Sequence, residues 1–133
     1  MTRYLLDTNV ISDAIRNPGG AVDAALRRHA ADEIGTSLIV HGEMTFGLRR
    51  NQNMRGRMRL EVFLQAIEIW PLEAPVAETY GELRARLERE GRPMGANDLW
   101  IAAHAVALDA TLVTDDQAFS QVAGLKTENW LRG

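Results

Sequence analysis

The stretch RYLLDTNVIS, residues 3–12, decides the fold that the sequence predicts. Its first half is a short apolar run of the kind that forms a buried strand, and Asp7, Thr8 and Asn9 follow directly. These residue types are favoured where a strand turns into a helix, because their side chains accept hydrogen bonds from the first N–H groups of the helix. Helix capping is therefore the simplest interpretation of Asp7 alone. A second interpretation, a carboxylate placed for chemistry, depends on whether other acids occupy similar positions.

The same strand-to-helix pattern continues along the chain. Short apolar runs alternate with longer segments of helical period, which predicts βαβ units and a parallel sheet. Strands are predicted at residues 3–6, 34–37, 67–70, 111–113 and 125–127, and helices at residues 8–16, 21–31, 41–50, 55–66, 74–90 and 96–108. The predicted fold is therefore α/β: one domain over residues 1–133, with a doubly wound parallel sheet of about four to five strands flanked by helices.

Composition narrows the class of protein. Of the 133 residues, 46% are hydrophobic, which is enough for a core without disulfides, and no cysteine is present to form a thiolate metal site. The N-terminus lacks the pattern of a signal peptide, and no apolar run approaches the roughly 18 residues that cross a membrane. We therefore expect a cytoplasmic protein with no membrane partner. The net charge of −3 argues against a protein that coats nucleic acid by neutralising phosphates.

One basic stretch departs from this overall charge. It contains five arginines within eleven residues, namely Arg49, Arg50, Arg55, Arg57 and Arg59. Two interpretations stay open: a solvated helix face, or a surface for RNA or an acidic partner.

Acidic residues recur where the predicted strands end. Asp7 follows the first strand, Glu43 lies in the helix after the second, Asp98 begins a mostly apolar helix, and Asp115 and Asp116 follow the strand at 111–113. The carboxyl ends of parallel strands meet at one edge of a sheet, where doubly wound folds bind their ligands. Taken singly, each acid has a structural explanation as a helix cap, a turn residue or, for Glu43, an ion pair with a nearby arginine of the basic stretch, Arg49 or Arg50.

Together, the acids favour a metal site. Clustered carboxylates repel and raise one another's pKa values, so a cluster is tolerated when a divalent cation or a proton neutralises it. The histidines at 29, 41 and 104 do not have the spacing of metal ligands, and an all-oxygen ligand set favours Mg²⁺ or Mn²⁺ over Zn²⁺. Such an ion orients a water molecule and neutralises a phosphodiester transition state. The expected substrate is a phosphate ester.

Four segments carry a resemblance to a known family. They are LLDTNV, SLIVHGEMTFGLRR, GRPMGANDLWIAAHAVALDATLVTDD and VAGLKTENW, in this order along the chain, and the resemblance runs from residue 3 to residue 130. In these segments the chain resembles the VapC-type toxins of the PIN-domain ribonuclease superfamily. The resemblance implies the toxin of a type II toxin–antitoxin system, an endoribonuclease that depends on Mg²⁺, with Mn²⁺ as a substitute.

The resemblance also implies roles for particular residues. The catalytic acids would be Asp7, Glu43, Asp98 and Asp116, of which Asp7, Asp98 and Asp116 would hold the metal. Supporting polar residues would be Thr8, Asn9 and Thr114, and Asp115 is the alternative to its neighbour as the fourth acid. Asn97 stands where the family pattern leads us to expect a small or apolar residue, and we interpret it as a helix N-cap.

Partners follow from the same resemblance. It implies an RNA substrate, a VapB-type antitoxin that blocks the site, a toxin homodimer, and operator DNA bound only through the antitoxin.

Two other functions compete with this one. A phosphatase of the haloacid-dehalogenase type also places an Asp after its first strand, but it needs a second Asp where this chain has Asn9, and a lysine before the later acids where this chain has none. The other alternative is a PIN-like module that binds partners in a repressor complex without catalysis.

Overall fold

The computed structural model describes residues 1–132, which fold around one five-stranded parallel sheet. The strands are β1 (Arg3–Leu6), β2 (Glu33–Ser37), β3 (Glu68–Trp70), β4 (Thr111–Val113) and β5 (Lys126–Glu128). The helices are α1 (Thr8–Arg16), α2 (Ala21–Arg28), α3 (Leu38–Arg50), α4 (Met54–Gln65), α5 (Ala74–Arg89) and α6 (Ala96–Ala107), and a 3₁₀ segment covers Gln117–Gln121. The predicted fold class is confirmed.

The ends of some elements differ from the prediction. Helix α3 begins at Leu38, three residues early, because Ser37 Oγ accepts a hydrogen bond from the Ile39 backbone N–H and caps the helix. Helix α2 ends at Arg28 rather than at residue 31. Its last turn is closed by the backbone of His29, and the chain then turns so that Glu33 enters the sheet.

The core lies on both faces of the two central strands. Leu5 and Leu6 of β1 and Leu112 and Val113 of β4 are fully buried, as parallel strands covered by helices on both sides require. Helix α6 buries half of its twelve residues, including Ile101, so one side of this mostly apolar helix is part of the core. Among residues 1–132, none of the helices is both long and apolar enough to cross a bilayer.

The order of the strands creates a crevice. The sheet runs β3-β2-β1-β4-β5, so the connections leave β1 in opposite directions and the strand order reverses between β1 and β4. Leu6 pairs with Val113 at the carboxyl ends of these strands. Ligands of doubly wound sheets bind outside such a reversal point, and Asp7 and Thr114 are the first residues beyond it.

Candidate active site

Asp7 serves both as a helix cap and as a wall of the crevice. Its backbone N–H donates to the Val113 carbonyl at 3.0 Å, and its Oδ1 accepts from the Thr8 backbone N–H at 2.8 Å. The other oxygen, Oδ2, accepts from the Thr114 hydroxyl at 2.8 Å. The side chain is buried, and this burial raises the pKa of Asp7, while the hydrogen bonds from Thr114 and Thr8 act in the opposite direction. Asp7 therefore caps α1 through one carboxylate oxygen and binds Thr114, which follows β4, through the other.

The crevice is a cavity of about 490 Å³. The four acids expected at the site all line it. The lining residues are Asp7, Thr8, Asn9, Ser12, Arg16, Glu43, Asp98 and Asp116.

Asp98 lies in the first turn of α6 and is half-buried. Burial raises the pKa of its carboxyl group first, and the negative charges of Asp116, Asp7 and Glu43 raise it further. Asp98 does not cap its helix, because the N-cap position belongs to Gly95. The mutual repulsion of these carboxylates is the electrostatic sign of a shared site.

Glu43 has a partner other than the expected one. Neither Arg49 nor Arg50 pairs with it; instead Asn97 Nδ2 donates to Glu43 Oε2 at 3.2 Å. The interpretation of Asn97 as an N-cap is therefore wrong, since its side chain reaches across to α3 while Gly95 occupies the cap position.

Of the two neighbouring acids after β4, Asp116 is the one that lines the cavity. Its backbone N–H donates to Thr114 Oγ1 at 3.1 Å, and its Oδ1 accepts from the Ala118 backbone N–H at 2.9 Å, which begins the 3₁₀ segment. Thr114 thus ties Asp116 to Asp7. Asp115 is exposed and lies outside the lining.

Asn9 lines the cavity, and its Oδ1 is a buried atom that has no hydrogen-bond donor within residues 1–132. A buried acceptor without a donor is costly unless water or a cation satisfies it. Thr8 also lines the cavity. Thr114 contributes indirectly, because its hydroxyl donates to Asp7 Oδ2.

Two lining residues were not expected from the sequence. Ser12 and Arg16 follow Thr8 at intervals of four in α1, so they share one face of that helix. Helical periodicity from Thr8 onward would have found them. Arg16 also lines a neighbouring apolar groove and so stands between the two cavities.

The arginines of the basic stretch line different cavities. Arg55 and Arg59 line the apolar groove beside α1, whereas Arg49 and Arg57 line a small cavity between α3 and α4. The guanidinium of Arg50 lies 5.2 Å from the ring centre of Phe46, which is exposed rather than part of an apolar stripe in the core. None of these five arginines lines the acidic cavity.

The donor set fits a hard divalent cation. The residues that line the cavity carry carboxylate and hydroxyl oxygens, and the unpartnered Asn9 Oδ1 is a buried acceptor on one of the same residues. Within residues 1–132, no three acidic or imidazole groups approach closely enough to form a ready-made metal cluster. Among the described residues, the cavity therefore carries suitable ligand types without a preformed coordination sphere.

Comparison with known proteins decides the family. The sequence matches the PIN domain family over residues 4–125. It is 36% identical to ribonuclease VapC2 of Rickettsia felis over 130 residues, which cover 96% of this chain and 97% of that protein. The chain belongs to the VapC-type PIN-domain ribonucleases. It is also 30% identical to the tRNA(fMet)-specific endonuclease VapC of Shigella flexneri, covering 98% of this chain and 99% of that one.

Solved structures place this VapC-type chain in the same family. The VapBC2 complex of Rickettsia felis, bound to a DNA fragment from its promoter, matches with a TM-score of 0.90 and 36% identity, over 97% of this chain and 99% of the other. VapBC-1 from nontypeable Haemophilus influenzae matches with a TM-score of 0.86 and 29% identity, over 97% and 98% of the two chains. VapC-type chains of this fold thus occur in toxin–antitoxin complexes.

Proposed function

We propose that this VapC-type toxin is an endoribonuclease that uses Mg²⁺, or Mn²⁺ in its place, to cleave RNA phosphodiester bonds. The observation that carries the proposal is that Asp7, Glu43, Asp98 and Asp116 face one cavity at the reversal point of the sheet. Within residues 1–132 none of these four carboxylates is in an ion pair. Burial and like charge make this arrangement unfavourable without a cation.

We assign a role to each residue of the cavity from its position. Asp7, Asp98 and Asp116 would hold the ion, which when bound neutralises phosphate charge and makes a water molecule a better nucleophile. Glu43, fixed by Asn97 at the cavity wall, would accept the proton that this water loses as it attacks phosphorus. Arg16, exposed at the rim of the cavity, would bind a phosphate of the RNA backbone.

Activity and metal dependence can be tested together. The purified protein is incubated with structured RNAs that include an initiator tRNA, in Mg²⁺, Mn²⁺, Ca²⁺ or EDTA, and the cleaved ends are mapped. We expect cleavage in Mg²⁺ or Mn²⁺, none in EDTA, and none in Ca²⁺, whose looser coordination poorly supports in-line attack. Undiminished cleavage in EDTA would exclude the metal-dependent mechanism. Cleavage that does not return when Mg²⁺ is restored would show that EDTA acts in another way.

An apolar groove next to the site supports a VapB-type antitoxin as partner. It is a cavity of about 1000 Å³ between α1 and α4. Met54, Met58 and Val62 line it with 62%, 62% and 68% of their surfaces exposed, an arrangement typical of a protein interface. A segment of antitoxin lying in this groove would reach Arg16 and so close the acidic cavity that shares this residue.

The groove can be tested separately from catalysis. Val62→Asp should abolish binding of the VapB-type antitoxin of the same system, measured by calorimetry, while RNA cleavage stays at the level of the unmodified protein. Leu72→Asp is the control, because Leu72 is an exposed apolar residue outside the groove. Antitoxin binding that survives Val62→Asp would place the interface elsewhere.

Two further interactions belong to the proposal. We propose that the toxin forms a homodimer, and that operator DNA is bound only through the antitoxin, as a complex of the kind that the Rickettsia felis VapBC2 structure contains. Because RNA and operator DNA both lie in the bacterial cytoplasm, the toxin acts there. Light scattering of the toxin alone and a DNA-binding assay with and without antitoxin test these proposals.

The arginines of the basic stretch are candidates for binding the RNA backbone. If Arg49 and Arg50 contact the backbone, replacing both with Gln should weaken RNA binding and flatten its salt dependence without moving the cleavage position. The pair Arg55 and Arg59 is the matched comparison, because it lines the groove that we assign to the antitoxin. Unchanged binding and salt slope in the first variant would leave Arg49 and Arg50 as a solvated helix face.

The competing functions find less support. The haloacid-dehalogenase type needs a lysine at the site, but Lys126 pairs with Asp109 at 3.1 Å where β4 and β5 begin, at the opposite end of these strands. A module without catalysis would not need to keep four unpaired carboxylates around one cavity.

A further inference from the structure

Two polar bridges join α3 to α6. At one end Ser37 Oγ and His104 Nδ1 are 2.7 Å apart, and both side chains are fully buried. At the other end Asn97 Nδ2 donates to Glu43 Oε2 at 3.2 Å, where Glu43 lines the acidic cavity. Each bridge connects the helix that carries Glu43 to the helix that carries Asp98.

The two hydrogen bonds lie at matching positions along α3 and α6, and together we call them the clamp. Six positions separate Ser37 from Glu43 along the chain, and seven separate Asn97 from His104. At about 1.5 Å per helical residue, both intervals are roughly 9–10 Å, and they run in opposite directions along the chain. Two crosslinks at matching distances hold antiparallel helices against both sliding and rotation.

The buried bridge is the fixed end of the clamp. Ser37 Oγ also caps α3 by accepting from the Ile39 backbone N–H, so the start of α3 is tied to the middle of α6. The exposed bridge at Asn97 then determines where the Glu43 carboxylate points.

We propose that Asn97 is a positioning residue that holds the Glu43 carboxylate toward Asp98 and so sets the affinity of the site for a divalent cation. This inference rests on the proposed metal-dependent function. An amide suits the task because it donates a hydrogen bond without adding a positive charge. An arginine or lysine at the same place would neutralise the Glu43 carboxylate, whose negative charge in the same cavity favours a cation held by Asp7, Asp98 and Asp116. Groups that orient metal-site side chains in this way contribute about 10-fold or more to metal affinity.

A double-mutant cycle on Mn²⁺ binding tests the proposal. The Mn²⁺ concentration that gives half of the maximal thermal stabilisation is measured for the full-length unmodified protein, Asn97→Ala, Glu43→Ala and the double variant. We expect Asn97→Ala to raise this concentration roughly 10-fold. In the Glu43→Ala background, Asn97→Ala should have no further effect, because its partner is gone.

Two controls separate positioning from stability. Asn53→Ala removes an asparagine that caps α4 through the Gly56 backbone N–H, away from the acidic cavity, so it should lower the melting temperature without changing the Mn²⁺ midpoint. Asn97→Gln keeps the amide donor and should recover part of the lost affinity.

The outcomes are distinct. An unchanged midpoint in Asn97→Ala, or equal effects of this substitution with and without Glu43, would overturn the positioning role while leaving the nuclease proposal intact. Failure of the unmodified protein to respond to Mn²⁺ would overturn both.

Discussion

Charged side chains form ion pairs at one end of the central sheet, whereas, among the described residues, acidic side chains at the other end have no basic partner. At the amino ends of the strands, Arg3 Nε pairs with Glu33 Oε2 at 2.6 Å, and Lys126 pairs with Asp109. At the carboxyl ends, Asp7 and three further acids line one cavity, and within residues 1–132 no basic side chain forms an ion pair with any of them. Similar residue types thus occur at both ends with different partners.

This contrast separates charges that are paired at the surface from charges that have no partner of opposite sign in the described part of the chain. An exposed ion pair contributes little to stability and costs little, so it needs no other explanation. Unpaired carboxylates that are partly desolvated destabilise the folded protein, and such arrangements are concentrated at functional sites. The difference lies in the partner of each charge rather than in the number of charges.

The largest expected effect comes from removing one charge at the carboxyl ends. Asp7→Asn keeps the shape and much of the capping of Asp7 but loses the charge, so RNA cleavage should fall by about two orders of magnitude or more while the protein stays folded. Cleavage rates and circular dichroism are measured side by side. Glu33→Gln, the same kind of change at the amino ends, is the matched control and should leave cleavage unchanged. A folded Asp7→Asn variant with full activity would show that the Asp7 charge is not needed for RNA cleavage, and the proposed difference between the two ends of the sheet would fail.

Asp98→Asn tests whether the acids at the carboxyl ends repel one another. Burial and three neighbouring carboxylates raise the pKa of Asp98, so a neutral amide there should relieve strain in the metal-free protein. In EDTA the variant should melt no lower than the unmodified protein, and it should lose most of the stabilisation by Mg²⁺. A lower melting temperature in EDTA with an intact response to Mg²⁺ would instead identify Asp98 as a structural residue.

His104 gives a smaller effect with a defined dependence on pH. Burial lowers the pKa of His104 below its ordinary value of 6.5, so between these two values the unfolded chain binds more protons than the folded one. The free energy of unfolding should therefore fall as the pH drops from 7.5 to 5.5. The raised pKa values of Asp7 and Asp98 make the free energy of unfolding rise on acidification instead. Both carboxylates are present in the unmodified protein and in His104→Asn, so their contribution cancels when the two proteins are compared.

The measurement is urea unfolding at the two pH values. The unmodified protein should lose more stability on acidification than His104→Asn does. His29→Asn is the control at the amino ends, because His29 is paired with Asp32 at 3.2 Å, and it should keep the acid-induced loss. Equal losses in the unmodified protein and His104→Asn would contradict the assignment.

The smallest expected effect lies at the amino ends. Both partners of the Arg3–Glu33 pair are more than 40% exposed, so Glu33→Gln should lower the free energy of unfolding by about 1 kcal/mol or less, and high salt should reduce the difference. Chemical denaturation at two salt concentrations measures both. A loss of several kcal/mol would show that exposed ion pairs, too, carry much of the stability of this fold.

Much of the site could be predicted because its main signals are local. The end of β1 at Leu6 and the start of α1 at Thr8 follow from an apolar run that meets Asp7, and both were predicted to the residue. The parallel sheet followed from the alternation of periods, and it gathered Asp7, Glu43, Asp98 and Asp116 at one edge as expected. Their catalytic and metal-binding roles stay a prediction.

The sequence by itself determined where strands and helices alternate and which end of the sheet collects the acids, because hydrophobic period and capping residues act over a few neighbouring positions. Only the tertiary structure determined which side chains contact one another. The bond between Asn97 and Glu43 joins residues 54 positions apart, and the turn after β4 directs Asp116 into the cavity and leaves Asp115 outside. The separation of Arg49 from Arg55 is of the same kind. Such choices depend on how helices pack and on the direction in which each side chain leaves the backbone, which no local pattern specifies.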